Sequence, residues 1–130
     1  MDNCLFCKII NKEIPSEIIY EDDYILVFLD INPTTNGDTL IIPKKHYKDI
    51  LHTPSEIINK MNNLYKTLYP KYQEKLKCSG LTLTTNIDYG QEIKHFHMHF
   101  IPRYENDNIK YLSNKEILLD IKDIKNIINN

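Results

Sequence analysis

Between Lys94 and Pro102 the chain reads Lys94-His95-Phe96-His97-Met98-His99-Phe100-Ile101-Pro102, with histidine alternating strictly with a large apolar residue. A period of two is the signature of an extended strand, whose successive side chains point to opposite faces. Read as a strand, the segment sets His95, His97 and His99 on one face and Phe96, Met98 and Phe100 on the other. The second face suits a core. The first is a row of imidazoles whose Cα atoms lie roughly 6.5 Å apart. Imidazole titrates near neutrality, so such a row can serve as acid, base, nucleophile or metal ligand. Three readings compete at this point. The histidines chelate one metal ion; one of them attacks phosphorus while a neighbour supports the phosphate charge; or all are merely tolerated on a solvent-facing strand. Composition counts against the last, because three histidines at strict alternation are rare.

The rest of the composition narrows the class. A chain of 130 residues is most simply one domain, long enough to bury a single core. With 42% apolar and 26% charged residues it is globular rather than disordered. A net charge of −2 leaves no broad electrostatic footprint for nucleic acid, so no nucleic-acid partner is expected. The apolar run Tyr24-Ile25-Leu26-Val27-Phe28-Leu29 is too short to span a bilayer, and Met1-Asp2-Asn3-Cys4 does not open like a signal peptide. The expectation is a soluble, cytoplasmic protein in a reducing compartment, with no membrane partner. An odd count of three cysteines agrees. Cys4 and Cys7 form a C-x-x-C pair, which is either half of a zinc site lacking two more ligands or two unconnected thiols. Cys78 stands alone and reads as an inert, half-buried thiol.

Taken in order, residues 5–14 fit a short helix ended by Pro15. Ile18–Glu21 and Tyr24–Leu29 read as strands joined by a turn at Asp22-Asp23. Residues 30–37 form a turn-rich loop, and Thr39–Ile42 a β-branched strand stopped by Pro43. A long helix follows, with Thr53 as cap, Pro54 in the first position, Glu56 closing a capping box, and Ile57, Met61, Leu64 and Leu68 as its apolar stripe. Pro70 should kink or break it, and Gly80 should mark its end. Tyr65, Tyr69 and Tyr72 read as packing rather than a base-stacking surface. Leu81–Asn86 alternates as a half-buried strand, and Asp88-Tyr89-Gly90 turns into the histidine strand. A second capping box, Ser113 with Glu116, opens an amphipathic C-terminal helix carrying Ile117, Ile121, Ile124 and Ile128. The class is α+β with a mainly antiparallel sheet.

The segment His95-Phe96-His97-Met98-His99-Phe100-Ile101 has the His-x-His-x-His-x-x form, x apolar, that defines the histidine-triad (HIT) family. The chain resembles that family elsewhere too: in Leu5-Phe6-Cys7-Lys8-Ile9-Ile10 with Ile14-Pro15-Ser16, in Tyr20-Glu21-Asp22-Asp23, in Ile41-Ile42-Pro43-Lys44-Lys45-His46, and in Gly90-Gln91-Glu92. The resemblance runs from Cys4 to about Arg103 and is closest to the HINT-like branch of nucleoside-phosphoramidate hydrolases. The single domain expected over 1–130 thus has a HIT core of about 4–103, followed by the helical extension of about 113–129 read from the second capping box. The HIT-like fold that the resemblance implies has a mainly antiparallel five-stranded sheet with the long helix packed on it. It also implies a homodimer joined through that helix and a strand.

By the same resemblance His97 is the nucleophile that attacks the α-phosphorus of a purine nucleotide derivative. His99 then hydrogen-bonds the phosphate and leaving-group region, and Gln91 reaches the scissile atom or a phosphate oxygen. Asn86 contacts the phosphate, Asp30 binds the ribose hydroxyls, and Phe6, Ile9, Phe28 and Ile31 form the purine cleft. A carboxylate suits a vicinal diol because it only accepts hydrogen bonds. An amine leaves phosphorus well only once protonated, so an acid is needed, and His99 lies two residues along the same face. Read without the resemblance, Asp30 is a turn residue before Pro33.

Some family members with C-x-x-C near the N-terminus hold a structural zinc, whose ligands would by this resemblance be Cys4, Cys7, His46 and His95, a set suited to tetrahedral Zn²⁺. His52, outside that set, reads as a surface residue. Four features depart from the family pattern: Glu92 where one branch has serine, the short Ile87-Asp88-Tyr89 connection, Pro70 inside the long helix, and a tail beyond Arg103 unlike the HINT-like ending. The rival readings are a dinucleotide polyphosphate hydrolase and a zinc-stabilised nucleotide-binding module with vestigial catalysis.

Overall fold

The computed structural model describes residues 3–109 and 119–130. A five-stranded sheet runs in the order β1-β2-β3-β5-β4 with every neighbouring pair antiparallel. Its strands are β1 (Ile18–Glu21), β2 (Ile25–Leu29), β3 (Thr39–Pro43), β4 (Gly80–Thr84) and β5 (Met98–Arg103). The helices are α1 (Leu5–Ile10), α2 (Ser55–Leu76) and α3 (Ile121–Asn129).

The continuous apolar runs of β2 and β3 are explained by burial on both faces. Ile25, Val27 and Ile41 point to one side, where they pack with Phe96, Phe100 and the α2 residues Met61, Leu68 and Tyr72. Leu26, Phe28, Leu40 and Ile42 point to the other, under Phe6 and Ile9 of α1. Truncating a fully buried ring such as Phe100 to alanine typically costs about 3–5 kcal/mol. The tyrosines do pack: the Tyr72 ring meets Phe100 edge-on at 5.1 Å, and its hydroxyl lies 2.8 Å from that of Thr39. Cys78 is fully buried rather than half-buried.

Local expectations hold in kind and shift in their bounds. The Asp22 carboxylate accepts the backbone N–H of Tyr24 and Ile25 and so closes the β1–β2 hairpin. Helix α1 stops at Ile10, four residues short of the expected bound, because Lys12 takes a left-handed backbone (φ 63°). The capping box at α2 does not form. Thr53 instead donates its hydroxyl to the Asp49 carbonyl, and Pro54 occupies the cap without a side-chain bond. Pro70 does not break α2, which continues to Leu76 and ends on a left-handed Lys77 (φ 59°). Gly80 therefore opens β4 rather than closing the helix. The glycine the packing does require is Gly37: its φ is +90°, and a Cβ there would come within 2.5 Å of Leu76 Cδ1 at the end of α2.

The expected histidine strand is corrected most. Residues 91–97 are irregular, and the ladder starts only at Met98. His95 and His97 thus precede the strand, and His99 alone of the three lies in it. The side-chain alternation nevertheless persists, since Phe96 and Phe100 are buried in the α2 core with Met98 packed against it. His99 pairs with Leu40 across the ladder, which places it on the α1 face. The Ser113–Glu116 capping box and Ile117 fall outside the described residues. The helix starts at Ile121, where the Asp120 carboxylate accepts the Lys122 N–H.

Candidate active site

On the α1 face the sheet and helix leave a cavity of about 470 Å³. Eight of the residues singled out in the sequence line it: Phe6, Ile9, Phe28 and Ile31 on apolar walls, with Asp30, Asn86, His97 and His99 as polar groups. Ile31 is 85% exposed and stands at the rim. The His97 ring is held between Phe6, 4.9 Å away edge-on, and His99 at 5.0 Å.

The hydrogen bonds of His97 assign its tautomer. Its Nδ1 lies 2.7 Å from the His95 carbonyl oxygen, which can only accept, so Nδ1 carries the proton and Nε2 keeps its lone pair. Burial pushes the His97 pKa below its ordinary value, opposed by that hydrogen bond, and so favours the neutral ring. A neutral imidazole with one uncommitted nitrogen, beside a second imidazole, is equipped for nucleophilic attack on phosphorus.

Gln91 is not brought to the cavity. It is buried, its side-chain N–H donates to the Lys48 carbonyl at 2.6 Å, and its Oε1 has no hydrogen-bond partner. Its neighbours Gly90 and Glu92 line the wall in its place. A glutamine side chain turned inward to brace a loop leaves no trace in a linear motif.

The second constellation lies beside the first. The Cys4 Sγ and His95 Nδ1 atoms are 3.4 Å apart, Cys7 Sγ and His46 Nδ1 3.4 Å, and Cys7 Sγ and His95 Nδ1 3.6 Å. One donor atom from each of the four residues falls within 4.8 Å of the others. Tetrahedral zinc with Zn–S near 2.3 Å and Zn–N near 2.05 Å separates its ligand atoms by roughly 3.3–3.8 Å, so the set fits. His95 is fully buried, and its Nε2 donates to the Pro43 carbonyl at 2.8 Å, which turns a bare Nδ1 toward the cysteines. Burial lowers the His95 pKa to about 4 and, with help from Cys4, raises that of Cys7 to about 11. The imidazole is therefore ready to bind a metal, whereas the thiol gives up a proton when it does. Bound there, zinc would tie α1 to the segment after β3 and to the loop before β5.

Sequence reasoning missed Asp38. It follows a turn glycine at the start of β3 and is indistinguishable in the sequence from a loop carboxylate. In the fold it is 2% exposed, its Oδ2 accepts the Thr34 N–H, and an oxygen of it lies within 4.8 Å of Asp30 and His99 donor atoms. Burial and the Asp30 charge both raise its pKa. His52, read as a surface residue, is exposed but has a partner, with its Nδ1 2.6 Å from the buried Asp49 carboxylate.

Comparison with known proteins decides the family. A match to the HIT domain spans residues 11–106. The chain belongs to the HIT domain family. A HIT-like protein of Methanocaldococcus jannaschii, itself uncharacterised, is 43% identical over 129 residues, covering 94% of this chain and 98% of its own. An adenylylsulfatase of Arabidopsis thaliana is 38% identical over 108 residues, 82% of this chain and 55% of the plant protein. A crystal structure of a zinc-bound histidine triad family protein from Mycobacterium smegmatis superposes with a TM-score of 0.78 at 33% identity, covering 87% of this chain and 84% of its own. The sheet, the long helix and their connectivity are thus those of a HIT protein. HIT proteins are generally nucleotide hydrolases.

Proposed function

We propose that this HIT protein is a homodimeric hydrolase or transferase acting on the α-phosphate of purine nucleoside phosphoramidates or related adenylates. The observation that carries this reading is the tautomer of His97, whose committed Nδ1 leaves Nε2 as a nucleophile in a cavity apolar at one wall and polar at another. The base occupies the cleft of Phe6, Ile9, Phe28 and Ile31. Asp30 accepts the ribose hydroxyls, and Asn86 and His99 hold the phosphate. Nε2 of His97 forms a bond to the α-phosphorus as the bond to the leaving amine breaks, and the amine takes a proton from His99. Water then attacks the nucleotidyl-histidine, returns a proton to His99, releases the mononucleotide and restores His97. Gln91 joins the reacting groups only by releasing the Lys48 carbonyl.

In the same reading Cys4, Cys7, His46 and His95 hold a structural zinc, residues 1–130 form one domain, and the protein works in the cytoplasm. No helix among the described residues is long and apolar enough to cross a membrane. The Arabidopsis relative's activity is named for an adenylate whose leaving group is sulfate, which supports attack at the α-phosphorus while leaving the physiological leaving group open.

His97→Ala should abolish hydrolysis of adenosine 5′-phosphoramidate while AMP binding stays measurable by calorimetry. Unchanged turnover would sink the assignment. Rates on the phosphoramidate, on adenylyl sulfate and on a diadenosine polyphosphate then rank the leaving groups.

A further inference from the structure

Asp30 and His99 line the cavity, and Asp38 lies next to them, almost wholly removed from solvent. One carboxylate oxygen of each aspartate and one ring nitrogen of His99 lie within 4.8 Å of one another. The Asp38 carboxylate is half satisfied: Oδ2 accepts the Thr34 N–H at 2.9 Å, whereas Oδ1 is buried with no hydrogen-bond partner. Buried carboxylate oxygens are ordinarily paired, because leaving one unsatisfied costs a substantial desolvation penalty. No lysine or arginine forms an ion pair with Asp30 or Asp38 among the described residues. Asp38 thus brings one buried, unpaired carboxylate oxygen to a cluster that holds a second carboxylate and the His99 ring.

We propose that Asp30, Asp38 and His99 form a divalent-cation site beside the nucleotide cavity, separate from the Cys4–Cys7–His46–His95 cluster. Two carboxylates and one imidazole are a hard, oxygen-rich donor set that suits Mn²⁺ and related ions, in contrast to the thiolate-rich zinc set. Three protein ligands leave the other coordination positions to water. A cation held through His99 takes that ring out of the proton-donating role given above, so the site belongs to the protein with no nucleotide bound.

The test is titration of the full-length, zinc-loaded protein with Mn²⁺ in the absence of nucleotide, followed by electron paramagnetic resonance of the free ion. Saturable binding of one Mn²⁺ per chain is expected, weakened at least about tenfold in Asp38→Asn. Paramagnetic broadening in wild-type protein locates the ion without relying on that variant's fold. The ring protons of His99 should broaden well before those of His52. Absence of saturable binding up to millimolar Mn²⁺ overturns the proposal. So does binding that a folded Asp38→Asn protein retains unchanged, or that broadens His52 first. Because no turnover is measured, failure here is distinguishable from failure of the hydrolase reading.

Discussion

In the proposed reaction His97 acts as a neutral imidazole, because burial and a carbonyl acceptor favour that form and set its tautomer. The active form is the unprotonated one, so a lowered pKa extends activity toward acid. The acid limb of kcat/KM for adenosine 5′-phosphoramidate should therefore fall below pH 6.5, the ordinary histidine value, with little loss on descending to it. A limb above that value would contradict the burial argument. His95, two residues earlier, has its bonds the other way round: Nε2 is committed to a carbonyl and Nδ1 faces the cysteines. Metal analysis of the purified protein should accordingly find about one zinc per chain, and Cys7→Ser should reduce this to a small fraction. The identity of these residues was legible in the triad and in the C-x-x-C pair. Their division of labour came with the family resemblance; the tautomer of each ring did not, since it depends on which backbone carbonyl the ring meets. Asp38 was invisible for the same reason. Nothing near it in the chain indicates that the carboxylate is buried beside Asp30 and His99.

Among the elements, β2 and β3 were the easiest to read, because strands buried on both faces carry unbroken apolar runs. Ends were harder. The α2 capping box was a sound local pattern, yet the Thr53 hydroxyl found a stronger use in the Asp49 carbonyl of the preceding turn. Pro70 reads locally as a break, but the stripe on either side of it, with Leu68 and Tyr72 both buried in the core, holds α2 helical through it. A proline inside a helix still removes one backbone hydrogen bond and crowds the preceding turn. As Pro70 is exposed, Pro70→Ala should stabilise the protein, by up to about 3 kcal/mol in denaturant unfolding. A destabilised variant would mean that the Pro70 ring is part of the packing. The histidine strand shows the reverse case: its alternation survives in the side chains, although the backbone ladder covers only the segment from Met98.

For the whole molecule, the core and the candidate site belong to the sheet, α1 and α2, and α3 contributes nothing buried. Every described residue from 119 to 130 is exposed, Ile121 and Ile128 included, although the helix is strongly amphipathic. Removing Ile121–Asn130 should therefore leave Tm within about 2–4 °C of the full chain, as followed by circular dichroism. A larger drop would show that the isoleucine face is covered in solution. By itself the sequence determined the family, the membership of the Cys4–Cys7–His46–His95 group and the two-sided burial of the central strands. These all follow from residue types at short, regular spacings. Only the tertiary structure decided the tautomers of His95 and His97, that Gln91 turns away to Lys48, and that Asp38 lies beside Asp30 and His99. Each depends on contacts between residues far apart in the chain or on the path of an irregular backbone, which local periodicity does not encode.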